Sequence, residues 1–71
     1  MITPTEEQMA QRLQETDLEN PAQQDTPEYE LWRIGFMVGA MNCVLGDDFK
    51  PVVHEGWEAG RKWLESIQVV V

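Results

Sequence analysis

Four glycines place the tightest constraint on what this chain can become. Gly35 and Gly39 sit four residues apart inside the apolar stretch GFMVGAMNCVLG (residues 35–46), and Gly56 and Gly60 repeat that spacing further along. Glycine inside a helix costs roughly 0.5–1 kcal/mol relative to alanine, so glycines within helical patterns call for a compensating role. Residues four apart share one helix face. The two rows therefore predict two helices whose backbones approach closely along a small-residue seam, with Trp32, Phe36, Trp57 and Trp63 packed around it.

The flanking residues set the expected boundaries. Asp25 or Thr26 can cap a helix, Pro27 suits its first turn, and Glu28 and Glu30 place negative charge at the positive end of its dipole. This helix is expected over about 27–45, ended by Gly46. A five-residue loop, GDDFK, then leads to a helix from about Pro51 to Ile67. Val53, Trp57, Gly60, Leu64 and Ile67 form its main face, widened by Val52, Gly56, Ala59 and Trp63. So short a loop predicts antiparallel neighbours, an αα-hairpin. Before it, Thr3-Pro4-Thr5-Glu6 reads as a capping box with Thr3 as the cap. Met9 and Leu13 give the following helix, about 4–18, only a thin apolar stripe, which makes it marginal alone. Residues 19–26 are polar, contain Pro21 and read as a linker. The valine tail, residues 69–71, is frayed or packed on a neighbour. The expected fold is all-α and a single domain over residues 1–71, with an acidic arm and linker (1–26) preceding a hairpin core (27–71). At 71 residues, such a chain buries only about 60% of its unfolded surface.

The side of the stretch away from the glycines carries Met37, Ala40, Met41 and Val44. Either the first helix covers it with Met9 and Leu13, or a second copy does, or a partner does; because the first helix is thin, self-association through these four residues as a homodimer is the favoured expectation. A membrane span is excluded, because such a helix needs about 20 apolar residues, whereas the run from Ile34 to Leu45 is interrupted by Asn42 and preceded by Arg33. Cys43, the one cysteine, excludes an internal disulfide and reads as a small buried side chain. The N-terminus has no basic region followed by an apolar one, so no signal peptide is expected and the location is cytoplasmic, or the host cytoplasm for a phage product.

The net charge is -8, and it is concentrated in the first thirty residues, where eight acids face only Arg12. Nucleic-acid affinity comes mainly from basic side chains neutralising phosphates, so direct nucleic-acid binding is not expected. An acidic chain suits a basic partner. His54 and Glu58, with Asp47 and Asp48 nearby, fall short of the three or four convergent ligands of a zinc site. Glu55 and Glu58 share a helix side but lack the cleft that acid–base chemistry requires. With no nucleophile set and no phosphate-cradling loop, the expectation is a non-enzymatic protein with no cofactor and no metal. Its partner-binding residues are Glu6, Glu7, Glu15, Asp17 and Glu19, with Trp32 and Trp63 as aromatic anchors of the kind enriched at interfaces. Its helix seam is Gly35, Gly39, Gly56, Gly60 and Trp57.

Gly35, Phe36 and Gly39, then Pro51, then Trp57 and Gly60 together resemble the ribosome modulation factor family. That family has a glycine–aromatic–glycine pattern on one helix, a proline after the connection, and W-x-x-G on the next helix. The resemblance spans about 26 residues and implies a two-helix hairpin and, as an alternative function, a ribosome-associated factor. The family is strongly basic whereas this chain is acidic, and the interval from Pro51 to Trp57 is about one helical turn shorter. In size and charge alone the chain is similar to small phage-encoded inhibitors, including anti-CRISPR and nucleic-acid-mimic proteins. The favoured function is thus a regulator or inhibitor engaging a basic surface of a larger protein, with a structural or assembly subunit as a further alternative.

Overall fold

The computed structural model describes residues 4–67. It contains three α-helices: α1 over Glu6–Glu15, α2 over Pro27–Ala40 and α3 over Pro51–Ile67, with a 3₁₀ turn at Thr16–Leu18 after α1. Among the described residues there is no strand, so the chain is all-α, and α2 and α3 pack closely as a pair.

α1 starts later than the sequence suggests. Its cap is Thr5, whose hydroxyl oxygen accepts from the Gln8 N–H at 3.1 Å, while the Gln8 side-chain oxygen accepts from the Thr5 N–H at 2.9 Å. This is the reciprocal capping box, two residues beyond the expected one; Thr3 lies outside the described residues, as does the 69–71 tail. The shift places both Glu6 and Glu7 in the first turn, where the helix dipole favours negative charge. The polar segment after α1 is tied down by side chains. The buried Thr16 hydroxyl donates to the Leu13 carbonyl at 2.7 Å, and the Asn20 side-chain amide donates to the Tyr29 carbonyl at 3.2 Å.

α2 ends at Ala40, five residues short of the expected boundary, and Gly46 is not its terminator. Asn42 takes the left-handed conformation, with φ 60°. Its N–H donates to the Gly39 carbonyl and the Cys43 N–H donates to the Val38 carbonyl, each at 3.0 Å. That pair of bonds is the Schellman closure, with asparagine where glycine is commoner. The Trp57 indole N–H then donates to the Cys43 carbonyl at 2.8 Å, and the Arg61 guanidinium donates to the Asn42 side chain, so α3 clasps this turn. Cys43 consequently lies off the helix and is exposed, not buried.

The early end changes the sense of the helix pair. The connection is residues 41–50, twice the expected loop, and ten residues can span about 33 Å when extended. α3 therefore starts back beside the first half of α2 and runs in the same direction. The contacts rise together along both helices: Gly35 faces Val53, Gly39 faces Trp57, Trp32 faces Gly56 and Phe36 faces Gly60. The pair is parallel, not the antiparallel arrangement a short loop would impose.

The glycines make that approach possible. A Cβ on Gly35 or Gly39 would run into the carbonyl oxygens of Val53 and Trp57, and one on Gly56 or Gly60 into those of Trp32 and Phe36. All four collisions fall under 3.0 Å, closer than real Cβ atoms come. The glycine hydrogen occupying each Cβ position instead points at that oxygen, a contact worth about 0.5–1 kcal/mol. Each helix thus donates glycines to the other's carbonyls, which offsets their weak helix propensity.

Around the seam, Trp32, Phe36 and Ala40 form the buried centre, and Val53 and Leu64 are buried from α3. The Phe36 ring stacks between Trp32 at 5.7 Å and Trp63 at 5.8 Å. α1 covers this cluster with Met9 and Leu13, and the Arg12 guanidinium lies 5.8 Å over the Phe36 ring. The thin stripe of α1 is enough to roof one cluster, though not to cover the whole of α2.

Candidate functional site

The uncovered surface lies along the edge of α1. Ile34, Met37 and Met41 follow the i, i+3, i+7 spacing of one helix stripe, and all three remain exposed, at 49%, 39% and 54%. Met37 and Met41 form one wall of an apolar groove of about 400 Å³, and Met9, Ala10 and Leu13 of α1 form the other. Glu6 stands at its rim as the one charged lining residue. Ala40, expected on the self-association face, is fully buried in the core, because its side points toward Gly60 rather than away from it. Val44, expected on the same helical face, lies beyond the end of α2 in the connection and is exposed.

The acids fall into two groups. Glu6 and Glu7 are exposed in the first turn of α1. Glu15 and Glu19 instead hold Arg12 from two sides, at 3.4 Å and 2.7 Å. Those contacts draw the single base of the first thirty residues toward the opposite cleft, between α1 and α3, lined by Gln8, Gln11, Arg12, Glu15, Trp63 and Ile67. Half-buried Trp63 borders this cleft while stacking on Phe36. Trp32 cannot serve as an exposed anchor, since it is only 3% exposed and belongs to the core.

Asp17 is engaged too, accepting a hydrogen bond from the buried Tyr29 hydroxyl. That bond is the largest cause raising the Tyr29 pKa above its ordinary 10.0, followed by desolvation and by the Asp17 charge. Ionising the phenol breaks the bond, so this link stabilises the fold fully below the unfolded tyrosine pKa and is lost as pH climbs through the higher folded one. Because Tyr29 is the sole tyrosine, phenolate absorbance reports it directly. The natural chain should titrate above a tyrosine peptide, and Tyr29→Phe should lose less stability between neutral and strongly alkaline pH. Coincident titration of chain and peptide would show that the Asp17 bond does not form.

Sequence patterns alone missed three contributors. Ala10 gains meaning only once Met9 and Leu13 are seen to leave a gap beside Met37. Ile34 extends the stripe, and its spacing from Met37 and Met41 was a readable signal. The role of Arg12 was hinted at by its being a lone cation among acids. Each residue carrying the family resemblance serves the helix pair: Gly35, Gly39 and Gly60 form the seam, Phe36 the core, Pro51 the first residue of α3, and Trp57 the clasp. Among the described residues no His, Cys, Asp and Glu cluster could hold a metal, and no helix is long and apolar enough to cross a membrane.

Fold and groove together define a small all-helical chain, two helices zipped by glycines and a third laid across them beside an open apolar channel. No protein-family model, curated protein or solved structure matches it.

Proposed function

We propose that this chain is a non-enzymatic, protein-binding regulator of the inhibitor kind, engaging a basic surface of a larger protein. The observation that carries this reading is the internal pairing of Arg12. With the one base of the first thirty residues held by Glu15 and Glu19, the exposed Glu6, Glu7, Asp25 and Glu28 form no ion pair among the described residues. Their field is available to steer and hold a cationic surface. Tyr29 and Trp32 are committed to packing, so contact with a partner falls to these acids, to Trp63 at its cleft and to the methionine groove.

The test is affinity capture from the source cell's lysate on immobilised chain, beside a variant with Glu6, Glu7 and Glu28 changed to glutamine. A defined basic protein should be retained by the natural chain, released as salt rises from about 50 to 500 mM, and lost from the variant. Equal retention on both chains at all salt concentrations would remove the charge-led reading.

A further inference from the structure

We propose that the groove between α1 and α2 receives a basic amphipathic helix of the partner, apolar face inward, with its cations above Glu6 and Glu7. This rests on the protein-binding reading above and adds the form and chemistry of what is bound.

The geometry favours a helix. Met37 and Met41 form one wall and Met9 and Leu13 the other, each pair one helical turn apart, and exposed Ile34 extends the α2 stripe beyond the groove. Two helical walls with a gap between them accept the ridge of a third helix. Among the described residues there is no sheet edge to which a strand could add. Methionine side chains reshape at little cost around an incoming apolar side chain.

The charge selects the sign. Glu6 is the one charged lining residue, and Glu7 is exposed beside it in the first turn of α1. Arg12 is held in the opposite cleft, and Arg33 lies outside the groove lining, against Glu30 at 3.9 Å and over the Tyr29 ring at 5.6 Å. A cationic helix therefore meets Glu6 and its neighbour Glu7 at the rim and no base among the residues lining the groove. A second copy of the chain is disfavoured as the occupant, because it carries the same net charge of -8 and would set acid against acid.

The test follows the Met9, Met37 and Met41 methyl signals by NMR as an amphipathic Leu/Lys helical peptide of about four turns is added, with a Leu/Glu peptide of the same pattern as control. Saturable shifts of these methyls with the Leu/Lys peptide are expected, with binding at least about tenfold weaker for the Leu/Glu peptide. Ala10→Trp fills the groove from an exposed position without changing charge, and should weaken Leu/Lys binding at least about tenfold. If that variant does not fold, as judged by circular dichroism, Met41→Gln provides the same comparison. Leu/Lys binding that leaves the three methyls unshifted, or equals its affinity for the groove variants, overturns the groove while the charge-led reading stands. Absence of Leu/Lys binding, with salt-dependent capture of a basic protein intact, overturns the helix alone; loss of both overturns the function as well. Concentration-dependent shifts of the same methyls without peptide, accompanied by a doubling of mass in sedimentation, would assign the groove to a second copy.

Discussion

Gly60→Val is expected to abolish the cooperative thermal transition of this chain. The first added carbon would overlap the Phe36 carbonyl oxygen and press on the Ala40 amide nitrogen. Both are backbone atoms inside α2, so no rotamer change relieves the contact. α2 would have to move away from α3, opening the packing of Phe36 and Ala40, the two fully buried side chains of the central cluster. Overpacking a well-filled core costs about 1–3 kcal/mol when side chains can adjust, and here they cannot. A chain of this size has roughly 4–10 kcal/mol in total, which leaves no margin for separating its main helix pair. Gly46→Ala is the matched control. Its Cβ would meet only the edge of the Phe49 ring, at 3.8 Å, and its φ is not positive, so it should be neutral or stabilise by a few tenths of a kcal/mol. Circular dichroism melts of the two variants check both. A Gly60→Val chain melting within a few degrees of the natural one would show that the helices do not meet at this seam.

Phe36→Ala should cost about 3–5 kcal/mol, a large share of the total stability. Phe36 is fully buried, stacked between Trp32 and Trp63 and roofed by Arg12. Its removal leaves a cavity walled by two rigid indoles that cannot collapse into it. Met37→Ala, one residue along on the groove side, should cost less than about 1 kcal/mol, since a half-exposed side chain is removed mostly from water. Urea titrations followed by tryptophan fluorescence measure both. Similar losses at the two positions would mean that the core does not turn its face between residues 36 and 37.

Much of this architecture was legible in the sequence because local chemistry wrote it there. The glycine rows announced two closely approaching backbones, and the apolar rows of α3 matched its bounds from Pro51 to Ile67. What escaped depended on competition between neighbours. Asn42 and Gly46 could each close α2, and the decision fell to Asn42, whose turn is clasped by Trp57 and Arg61 from a helix not yet placed. That choice doubled the length of the connection and with it reversed the helix sense. Ala40 was a separate misassignment of a face: it continues the Trp32 and Phe36 row at i+4 spacing, and that row is the buried centre whichever way the partner helix runs. Trp32 was ambiguous as core or anchor because residue type alone does not tell which side of a helix a third element will cover. The acids were visible as a charge excess, yet that Glu15, Asp17 and Glu19 bond within the chain depended on where Arg12 and Tyr29 arrive. The groove was half legible, its α2 wall from methionine spacing, its α1 wall only after α1 had docked.

The parallel sense of α2 and α3 underlies the seam and the core, since it is what pairs Gly35 with Val53 and Gly39 with Trp57 and brings Trp63 to Phe36. Nuclear Overhauser contacts from the Gly35 and Gly39 α-protons measure that sense directly. Parallel packing predicts that Gly35 sees the Trp57 amide and Gly39 sees the Arg61 amide, the partner advancing by one turn as the glycine does. A pattern in which Gly39 instead contacts Gly56 while Gly35 contacts Gly60 would run the helices in opposite directions and contradict the account.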